Sequence, residues 1–460
     1  MSRLVYFFLM MLLLSGCAVS RCVEPQVQQP DHLLMNESDD SLCMADLSWM
    51  EMIGDSLLRN IIDSALTYNK NLLAAGARIR EYERLYKVDR RAMLPSFDFE
   101  AYVDRETNDK SGGSYVEDVE VASKLTLSWE ADLFGRLRWT GKKAMSRYLQ
   151  SVETRRAVQM SLVADVATAY FELMALDREM QIVQSTIALR RENVNQAQLR
   201  FEGGLISEIP LRQAQVELAR TASMLPDLRL RIKKKENEIS FLTGVLPSSI
   251  ARSVIDSERM LAVDSVSVGV PSDVLRRRPD IRGAEYALKG AMADVGYAWA
   301  DRFPRFVIGL EGGLENNGFE GFIRAPLTYM IGELTSPVFS FGRRQAKYKA
   351  ALEAYDAERL RYEERVLQAF REVDDAIAAY VSAKENTDLM LKLRISSEKY
   401  VELARFQYLE GQTDYLDVLD AQRSYFNAEI DYSNAVRDQY LAMIGLYKAL
   451  GGGWRQLSHD

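Results

Sequence analysis

The chain has 460 residues, of which 47% are hydrophobic and 27% are charged, so it contains enough apolar material for a large core. Its 58 basic and 66 acidic side chains leave a formal net charge of −8, which gives no general reason to attract nucleic acid. Composition therefore excludes a disordered polymer and argues against a nucleic-acid-binding protein.

The first residues have the pattern of an export signal. Arg3 precedes an apolar run at residues 4–14, which is too short to cross about 30 Å of hydrocarbon as a helix. The Leu-Ser-Gly-Cys sequence at residues 14–17 resembles the bacterial lipobox, which implies a signal peptide over 1–16 and acylation of Cys17. Ala18, where Asp would retain a lipoprotein at the inner membrane, implies sorting to the outer membrane. An ordinary signal peptide with a chance cysteine is the alternative.

A polar segment follows the acylated cysteine. It contains Pro25 and Pro30 and shows no sustained periodicity, which predicts an extended tether over residues 17–48. The periplasm permits a disulfide between Cys22 and Cys43, and two free thiols are the alternative. No later segment is apolar for long enough to form a membrane-spanning helix, so a crossing of the membrane would require a closed β-barrel.

The rest of the chain contains an internal duplication. Matching residues recur at an offset of 342 − 135 = 207 positions: Phe134-Gly135-Arg136 with Phe341-Gly342-Arg343, Gly204 with Gly411, and Ala214-Gln215 with Ala421-Gln422. A constant offset over this length predicts two copies of one structural unit. We place the copies at residues 49–250 and 271–450, with a linker at 251–270 and a tail at 451–460.

Each copy is predicted to begin with a helix that leads into two strands. In the first copy, residues 53–93 have helical periodicity and end before Pro95, because proline lacks an amide and clashes with the preceding turn. Alternating apolar and polar residues then predict strands at 97–104 and 119–130, with counterparts around 306–314 and 327–334. Such alternation is typical of membrane β-strands and equally of a half-buried hairpin in a soluble protein.

Two long helices are predicted after the strands. Residues 142–202 and 343–410 contain neither Gly nor Pro and would form helices of ~90 to ~100 Å at 1.5 Å per residue. Their apolar residues step by four and three, as in the seam of a coiled coil. Each helix ends in a glycine turn and a second helix follows at once, which predicts two antiparallel helical hairpins whose turns lie far from the strands. The turn residues are Gly203, Gly204 and Gly411.

This organisation resembles the TolC-like outer membrane efflux protein family, and the lipobox points to its lipoprotein branch, the NodT-type factors of resistance-nodulation-division pumps. The markers are Phe-Gly at 134–135 and 341–342, Arg-Arg-Arg-Pro-Asp at 276–280, and the nonamer at 415–423. The resemblance implies a mixed α/β membrane protein: a homotrimer whose chains each contribute four strands to one twelve-stranded transmembrane β-barrel, continued by a long periplasmic α-helical barrel. The pattern agrees, because four strands cannot close a barrel alone.

The resemblance also implies a function and partners. It predicts an outer membrane channel of a tripartite efflux system, which connects a periplasmic adaptor (membrane fusion) protein and an inner-membrane transporter to the exterior. No phosphate-binding loop, zinc-protease motif or Cys-x-x-Cys is present, and His32 and His459 lie near the termini, so we expect neither catalysis nor a metal or cofactor. A lipid-anchored coiled-coil scaffold without a pore, and a duct for protein secretion or metal export, remain alternatives.

A periplasmic gate is predicted just beyond Gly411. Asp417 and Asp420 are three residues apart and would share one helix face, so a trimer would have two rings of carboxylates that attract cations. Arg423 is placed to form an ion pair, with Asp420 or with a neighbouring chain, that latches neighbouring helices. The resemblance makes Leu416 part of an apolar plug.

The alternative is that these acids only complement the helix dipole, which contributes ~0.3 to 1 kcal/mol each. The first copy has Pro210 and Gln213 at the equivalent positions, so the acids are not a general requirement for starting this helix. Pro210 also departs from many relatives in the family, which have an acid there that bonds to a tyrosine of the opposite hairpin, here matched by Tyr408. We expect the adaptor to contact the turns, at Gly203, Gly204, Tyr408 and Gly411.

Overall fold

The structure, a computed structural model, describes residues 22–27, 44, 47–110, 114–253, 271–335 and 341–454. The predicted signal peptide, Cys17 and Cys43 lie outside the described residues, and Cys22 is a free thiol. The chain divides into two compact units. The first comprises Ala77–Glu153, Arg282–Arg365 and the N-terminal residues up to Val27, and the second comprises the remaining segments.

The first unit contains a four-stranded antiparallel sheet in the order β1-β2-β3-β4. The strands are β1 (Ser96–Lys110), β2 (Ser114–Ala131), β3 (Arg305–Asn316) and β4 (Pro326–Thr335), with a short 3-10 helix at Phe322–Arg324 between the last two. The strands are longer than the predicted alternating segments. β2 lies in the first predicted copy and β3 in the second, and the two strands pair edge to edge.

The two faces of this sheet differ in chemistry. Phe97, Leu127, Leu310 and Met330 lie opposite one another across the four strands and form an apolar row on one face. Met330 is 82% exposed and Phe97 is 68% exposed in the single chain. Because successive strand residues point to opposite faces, the intervening positions form a second face, which is rich in acidic side chains.

The remaining elements are helices. The first copy contains α1 (Trp49–Met52), α2 (Ser56–Tyr68), α3 (Lys70–Arg91), α4 (Arg136–Glu202), α5 (Glu208–Ala222) and α6 (Met224–Leu242). The second contains α7 (Pro271–Arg277), α8 (Pro279–Ala300), α9 (Arg343–Leu409) and α10 (Tyr415–Ala449). The two long helices α4 and α9 each have 67 residues. None of the helices in the described ranges is long and apolar enough to cross a membrane.

Two segments that read as single helices are divided in the structure. Asn69 separates α2 from α3: its side chain accepts a hydrogen bond from the Leu72 amide at 2.9 Å and donates one to the Leu242 carbonyl at 2.8 Å. The helix after the first turn breaks at Ser223, because Pro226 has no amide to offer to the preceding turn. The counterpart α10 continues without interruption for 35 residues.

The predicted heptad seam of α4 forms much of the core of the second unit. Leu173 and Val183 are completely buried, and they pack in clusters that include Ile239 and Leu228 of α6. The seam of α9 is equally buried, at Val366, Val373 and Ile377. Helix packing of this kind removes large apolar side chains from water, which stabilises the fold by roughly 1.5 to 3 kcal/mol for each fully buried side chain.

The Arg-Arg-Arg-Pro-Asp marker is a buried junction of the second unit. Arg278 donates to the carbonyl of Ala449 at the end of α10 at 3.0 Å, to Asp280 at 2.8 Å and to Glu372. The indole of Trp454 donates to the Arg277 carbonyl at 3.0 Å. The marker therefore ties the start of the second copy to the end of the chain.

Candidate functional site: the turns of the helical hairpins

The two hairpin turns have the same backbone geometry. Gly204 has φ +70° between α4 and α5, and Gly411 has φ +71° between α9 and α10. In each turn the next amide closes the helix end, with Leu205 bonding to the Arg200 carbonyl and Gln412 to the Gln407 carbonyl, both at 2.8 Å. Glycine suits this left-handed position because it has no Cβ.

The predicted gate residues lie on the first turns of α10. Leu416 is 59% exposed, and Asp417 and Asp420 are both exposed. Asp417 accepts a hydrogen bond from the Thr413 hydroxyl, and Asp420 accepts one from Tyr400 of α9 at 3.3 Å. Asp417 lies in the first turn, where the helix dipole favours an acid, whereas Asp420 lies beyond it. A favourable interaction with the helix dipole therefore does not explain Asp420.

An apolar side chain is also exposed at the matching position of the first copy. Ile209, at 416 − 207, is 66% exposed at the start of α5. Pro210 follows it in the first turn of α5, where a missing amide costs least. The two turns thus share an exposed aliphatic residue. They differ at the positions of Asp417 and Asp420, which are Pro210 and Gln213 after the first turn.

Arg423 pairs with the first hairpin. The Nη2 atom of Arg423 donates to Oε1 of Glu217 at 2.5 Å. The Nη1 atom of Arg190 lies 3.0 Å from the other carboxylate oxygen of Glu217. Glu217 is 3% exposed and Arg190 is 6% exposed. The bonded partner of Arg423 is therefore Glu217 of the same chain, and the expected pairing with Asp420 is not the one that forms. This buried cluster connects α4, α5 and α10.

Glu217 is the acid that the surrounding arginines share. Burial raises its pKa, but the hydrogen bond from Arg423 and the charge of Arg190 outweigh burial and hold the pKa below its ordinary value. Burial lowers the pKa of Arg190, which nevertheless stays charged because the ordinary value for arginine is so high. Arg190 further donates to the Glu217 carbonyl at 2.7 Å and to the Thr221 hydroxyl.

Tyr408 also contacts the first hairpin, but its partner there is not an acid at position 210, which is Pro210 in this chain. Arg200 of α4 donates to its hydroxyl at 2.7 Å and lies over its ring at 5.1 Å. The Tyr408 ring lies 5.6 Å from that of Tyr415, and burial raises the pKa of Tyr415 to about 12. An arginine on α4 thus replaces the contact that Pro210 cannot make.

The sequence contained a signal for part of this cluster. The seam of α4 continues from Val183 through Ile187 to Arg190 by steps of four and three, so an arginine occupies an otherwise apolar stripe. A charge on such a stripe is buried only when it is paired. Glu217 lies on the buried stripe that Leu211, Ala214 and Thr221 form on α5, so it carried the same signal, whereas Arg200 is exposed and carried none.

The geometry describes a pair of helical hairpins cross-linked by polar contacts near their turns. In the described part of the chain, no group of three His, Cys, Asp or Glu side chains is placed to hold a metal ion. The contacts at the turns are therefore polar links between helices of the two hairpins.

Known proteins are similar to this chain in sequence and in fold. The family model for outer membrane efflux proteins matches residues 61–245 and 270–452. The toluene efflux pump outer membrane protein TtgF of Pseudomonas putida is 31% identical over 422 residues, covering 90% of this chain and 87% of TtgF. Outer membrane protein OprJ of Pseudomonas aeruginosa is 31% identical, covering 89% and 86%. The outer-membrane channel OprN superimposes with a TM-score of 0.85 at 26% identity, covering 95% and 100%. The chain belongs to the outer membrane efflux protein family.

Proposed function

We propose that three copies of this chain form one passive duct, in which four strands from each copy close a twelve-stranded barrel in the outer membrane and the hairpins form a periplasmic helical barrel. The duct receives its cargo from a periplasmic adaptor and an inner-membrane transporter, which supplies the energy. The protein itself catalyses no reaction.

The observation that carries this proposal is the chemistry of the four-stranded sheet. One face presents exposed apolar side chains such as Phe97 and Met330, the opposite face is acidic, and β1 and β4 end the sheet as open edges. The apolar face is suited to contact with lipid and the acidic face to contact with water. The unpaired backbone N–H and C=O groups of an open strand edge are not tolerated in hydrocarbon. Pairing of β4 with β1 of a neighbouring copy satisfies all three requirements.

The relatives suggest the class of cargo. TtgF is named a toluene efflux pump component, so we propose small hydrophobic organic compounds as substrates of the system that contains this chain. The duct itself has no selective pocket in this proposal, since the transporter chooses the cargo.

The gate belongs at the hairpin turns. In the closed state, Leu416 and Ile209 would narrow the passage, Asp417 and Asp420 would line it with negative charge, and the Glu217–Arg423 pair would hold the hairpins together. We propose that the adaptor contacts Gly203, Gly204, Tyr408 and Gly411 and opens the passage by competing for these links.

We also propose that Cys17 carries the lipid anchor. Mass spectrometry of the mature N-terminus should show an acylated cysteine, and Cys17→Ser should abolish palmitate labelling. Cys22→Ser is the matched control, since this half-buried thiol lies within the fold and should not affect labelling. An unmodified mature N-terminus that begins elsewhere would sink this assignment.

The duct is tested with purified protein in detergent. We expect a heat-modifiable trimer with a β-sheet signal, stepwise conductance in planar bilayers, and greater toluene sensitivity of a strain that lacks the protein. A coiled-coil scaffold without a pore would instead give no conductance and no heat-modifiable band.

A further inference from the structure

Among the side chains that the structure describes, the acidic face of the sheet has few positive charges. The described side chains on this face include eight acids and two bases: Asp98, Glu100, Asp104, Glu120, Glu130, Glu311, Glu315 and Glu333, with Lys124 and Arg305. Arg305 begins β3 and pairs with Asp301 just outside the sheet, at 2.7 Å. Lys124 is thus the one base in the middle of this face among the residues that the structure describes.

Lys124 is held among several of these acids. Its Nζ lies 2.9 Å from Glu315 and 3.8 Å from Glu311, and the Lys124 side chain is 18% exposed. It also donates to the Tyr102 hydroxyl at 3.1 Å, and that hydroxyl donates to Glu120 at 2.6 Å. One ammonium group therefore connects β1, β2 and β3 across the acidic face.

A glycine creates the room for this arrangement. Gly313 lies directly opposite Lys124, between Glu311 and Glu315 on the same face of β3. A Cβ at this position would come within 2.1 Å of the Ser123 carbonyl oxygen, so only glycine permits the close approach of β2 and β3. With no side chain at residue 313, the ammonium group reaches the carboxylates on both sides.

We propose that Lys124 sets the ionic selectivity of the strand-lined part of the duct, by neutralising a patch that would otherwise hold polyvalent cations. This inference rests on the proposed function, because it places the acidic face in the lumen. Carboxylates on a pore wall attract cations, and their field weakens when a fixed ammonium lies among them. Without Lys124, Glu120, Glu311 and Glu315 would present uncompensated oxygens of the kind that hard cations prefer.

The test compares Lys124→Met with Lys124→Arg in trimers that also carry Asp417→Asn and Asp420→Asn, so that the hairpin acids do not dominate selectivity. We expect Lys124→Met to raise the cation-to-anion permeability ratio at least about threefold, from reversal potentials in a salt gradient. Tyrosine-sensitised terbium luminescence should reveal tighter Tb³⁺ binding, since Tyr102 adjoins the patch. Lys124→Arg should give the same permeability ratio and Tb³⁺ affinity as the background, which is the trimer with Asp417→Asn and Asp420→Asn alone. Adding Glu315→Gln to Lys124→Met should move the permeability ratio and the Tb³⁺ affinity back towards those of the background.

The outcomes separate this inference from the proposal on which it rests. Conducting trimers with the same permeability ratio and the same Tb³⁺ affinity with and without Lys124 would overturn the role of Lys124 and leave the duct intact. A background protein that gives neither conductance nor a heat-modifiable trimer band would refute the duct itself. If Lys124→Met fails to assemble, the double variant with Glu315→Gln restores the local charge balance. It should then assemble with near-background selectivity, and strongly altered selectivity there contradicts the proposal.

Discussion

At the level of single residues, Glu217 is a buried acid that links the two hairpins through its ion pair with Arg423. It is buried on α5 and bonds both Arg190 of α4 and Arg423 of α10. Removing one member of a buried charge pair typically costs about 3 to 5 kcal/mol, because the partner is left buried and uncompensated. Arg423 is half exposed, whereas Arg190 is only 6% exposed and has little water available to replace the lost carboxylate.

We therefore expect Glu217→Gln to raise the resting conductance of the closed duct in planar bilayers. The amide keeps the shape of the side chain but leaves Arg190 without a counter-charge and weakens the hold on Arg423. Glu208→Gln is the matched control on the same helix, because Glu208 forms an exposed pair with Arg212. Equal resting conductance of Glu217→Gln and Glu208→Gln would show that the pair does not hold the hairpins together.

The same pair predicts a pH dependence. The folded pKa of Glu217 lies below its ordinary value of 4.5, so its stabilising contribution is complete above that value and is lost as the pH falls through the folded pKa. Resting conductance should stay constant between neutral pH and about pH 5 and rise only below 4.5. Bilayer recordings across this range should show the rise for wild type, and Glu217→Gln should lack it.

The exposed acids of α10 make a second prediction at this scale. Asp417→Asn together with Asp420→Asn should lower the cation preference of the duct and weaken block by divalent ions, while the trimer still assembles. Asp420→Asn alone should already have part of this effect, since Asp420 lies beyond the first turn. Asp414→Asn, which removes a neighbouring exposed acid, is the control. Wild-type selectivity and divalent block in the double variant would leave Leu416 as the next candidate for the gate.

At the level of elements, the hairpin turns depend on two glycines with left-handed backbone. Neither Gly204 nor Gly411 has an atom within 4 Å of the position of a Cβ, so a substitution would be resisted by backbone strain and not by crowding. A β-branched residue in the left-handed region is disfavoured by roughly 1 to 2 kcal/mol, and asparagine tolerates it better.

Gly411→Val should therefore reduce pump-dependent resistance more than Gly411→Asn, at equal trimer abundance in the membrane. The comparison isolates backbone conformation, because both side chains are larger than glycine and both face open space. Minimum inhibitory concentrations of exported compounds in a complemented deletion strain are the measurement. Equal resistance conferred by the two variants and the wild type would argue that the adaptor does not depend on this turn.

At the level of the whole molecule, the proposed barrel requires that the apolar face of the sheet contacts lipid. Met330 and Tyr329 are neighbours on β4 and lie on opposite faces. An arginine on a lipid-facing strand position near the bilayer midplane costs about 2 to 4 kcal/mol, whereas an arginine on the wet face is tolerated. Tyr329 lies opposite Glu311, which would offset an introduced positive charge.

Met330→Arg should thus reduce the fraction of heat-modifiable trimer in the outer membrane severalfold, and Tyr329→Arg should leave it near the wild-type level. Quantitative gels of membrane fractions, run with and without heating, provide the measurement. If the two variants assemble equally well, the sheet is not embedded with this face towards lipid.

Local pattern alone was enough to locate most elements of the fold. The alternation at 97–104 placed a strand within β1, the absence of Gly and Pro from 142–202 placed α4, and the offset of 207 residues related Gly204 to Gly411. These signals are local, because strand and helix periods and the left-handed preference of glycine depend on neighbours along the chain. Pro226 divides a helix by local means, through a missing amide, whereas Asn69 caps α3 locally and also bonds to Leu242 of α6.

The links between elements were decided only by the tertiary structure. Glu217 and Arg423 are 206 residues apart, Arg200 and Tyr408 are 208 apart, and nothing in their own neighbourhoods indicates these partners. The position of Lys124 between Glu311 and Glu315 likewise depends on the register of β2 against β3. A side chain on a helix or strand could contact residues at many positions along the sequence. The packing of the hydrophobic seams and the strand register determine which of these residues becomes its partner.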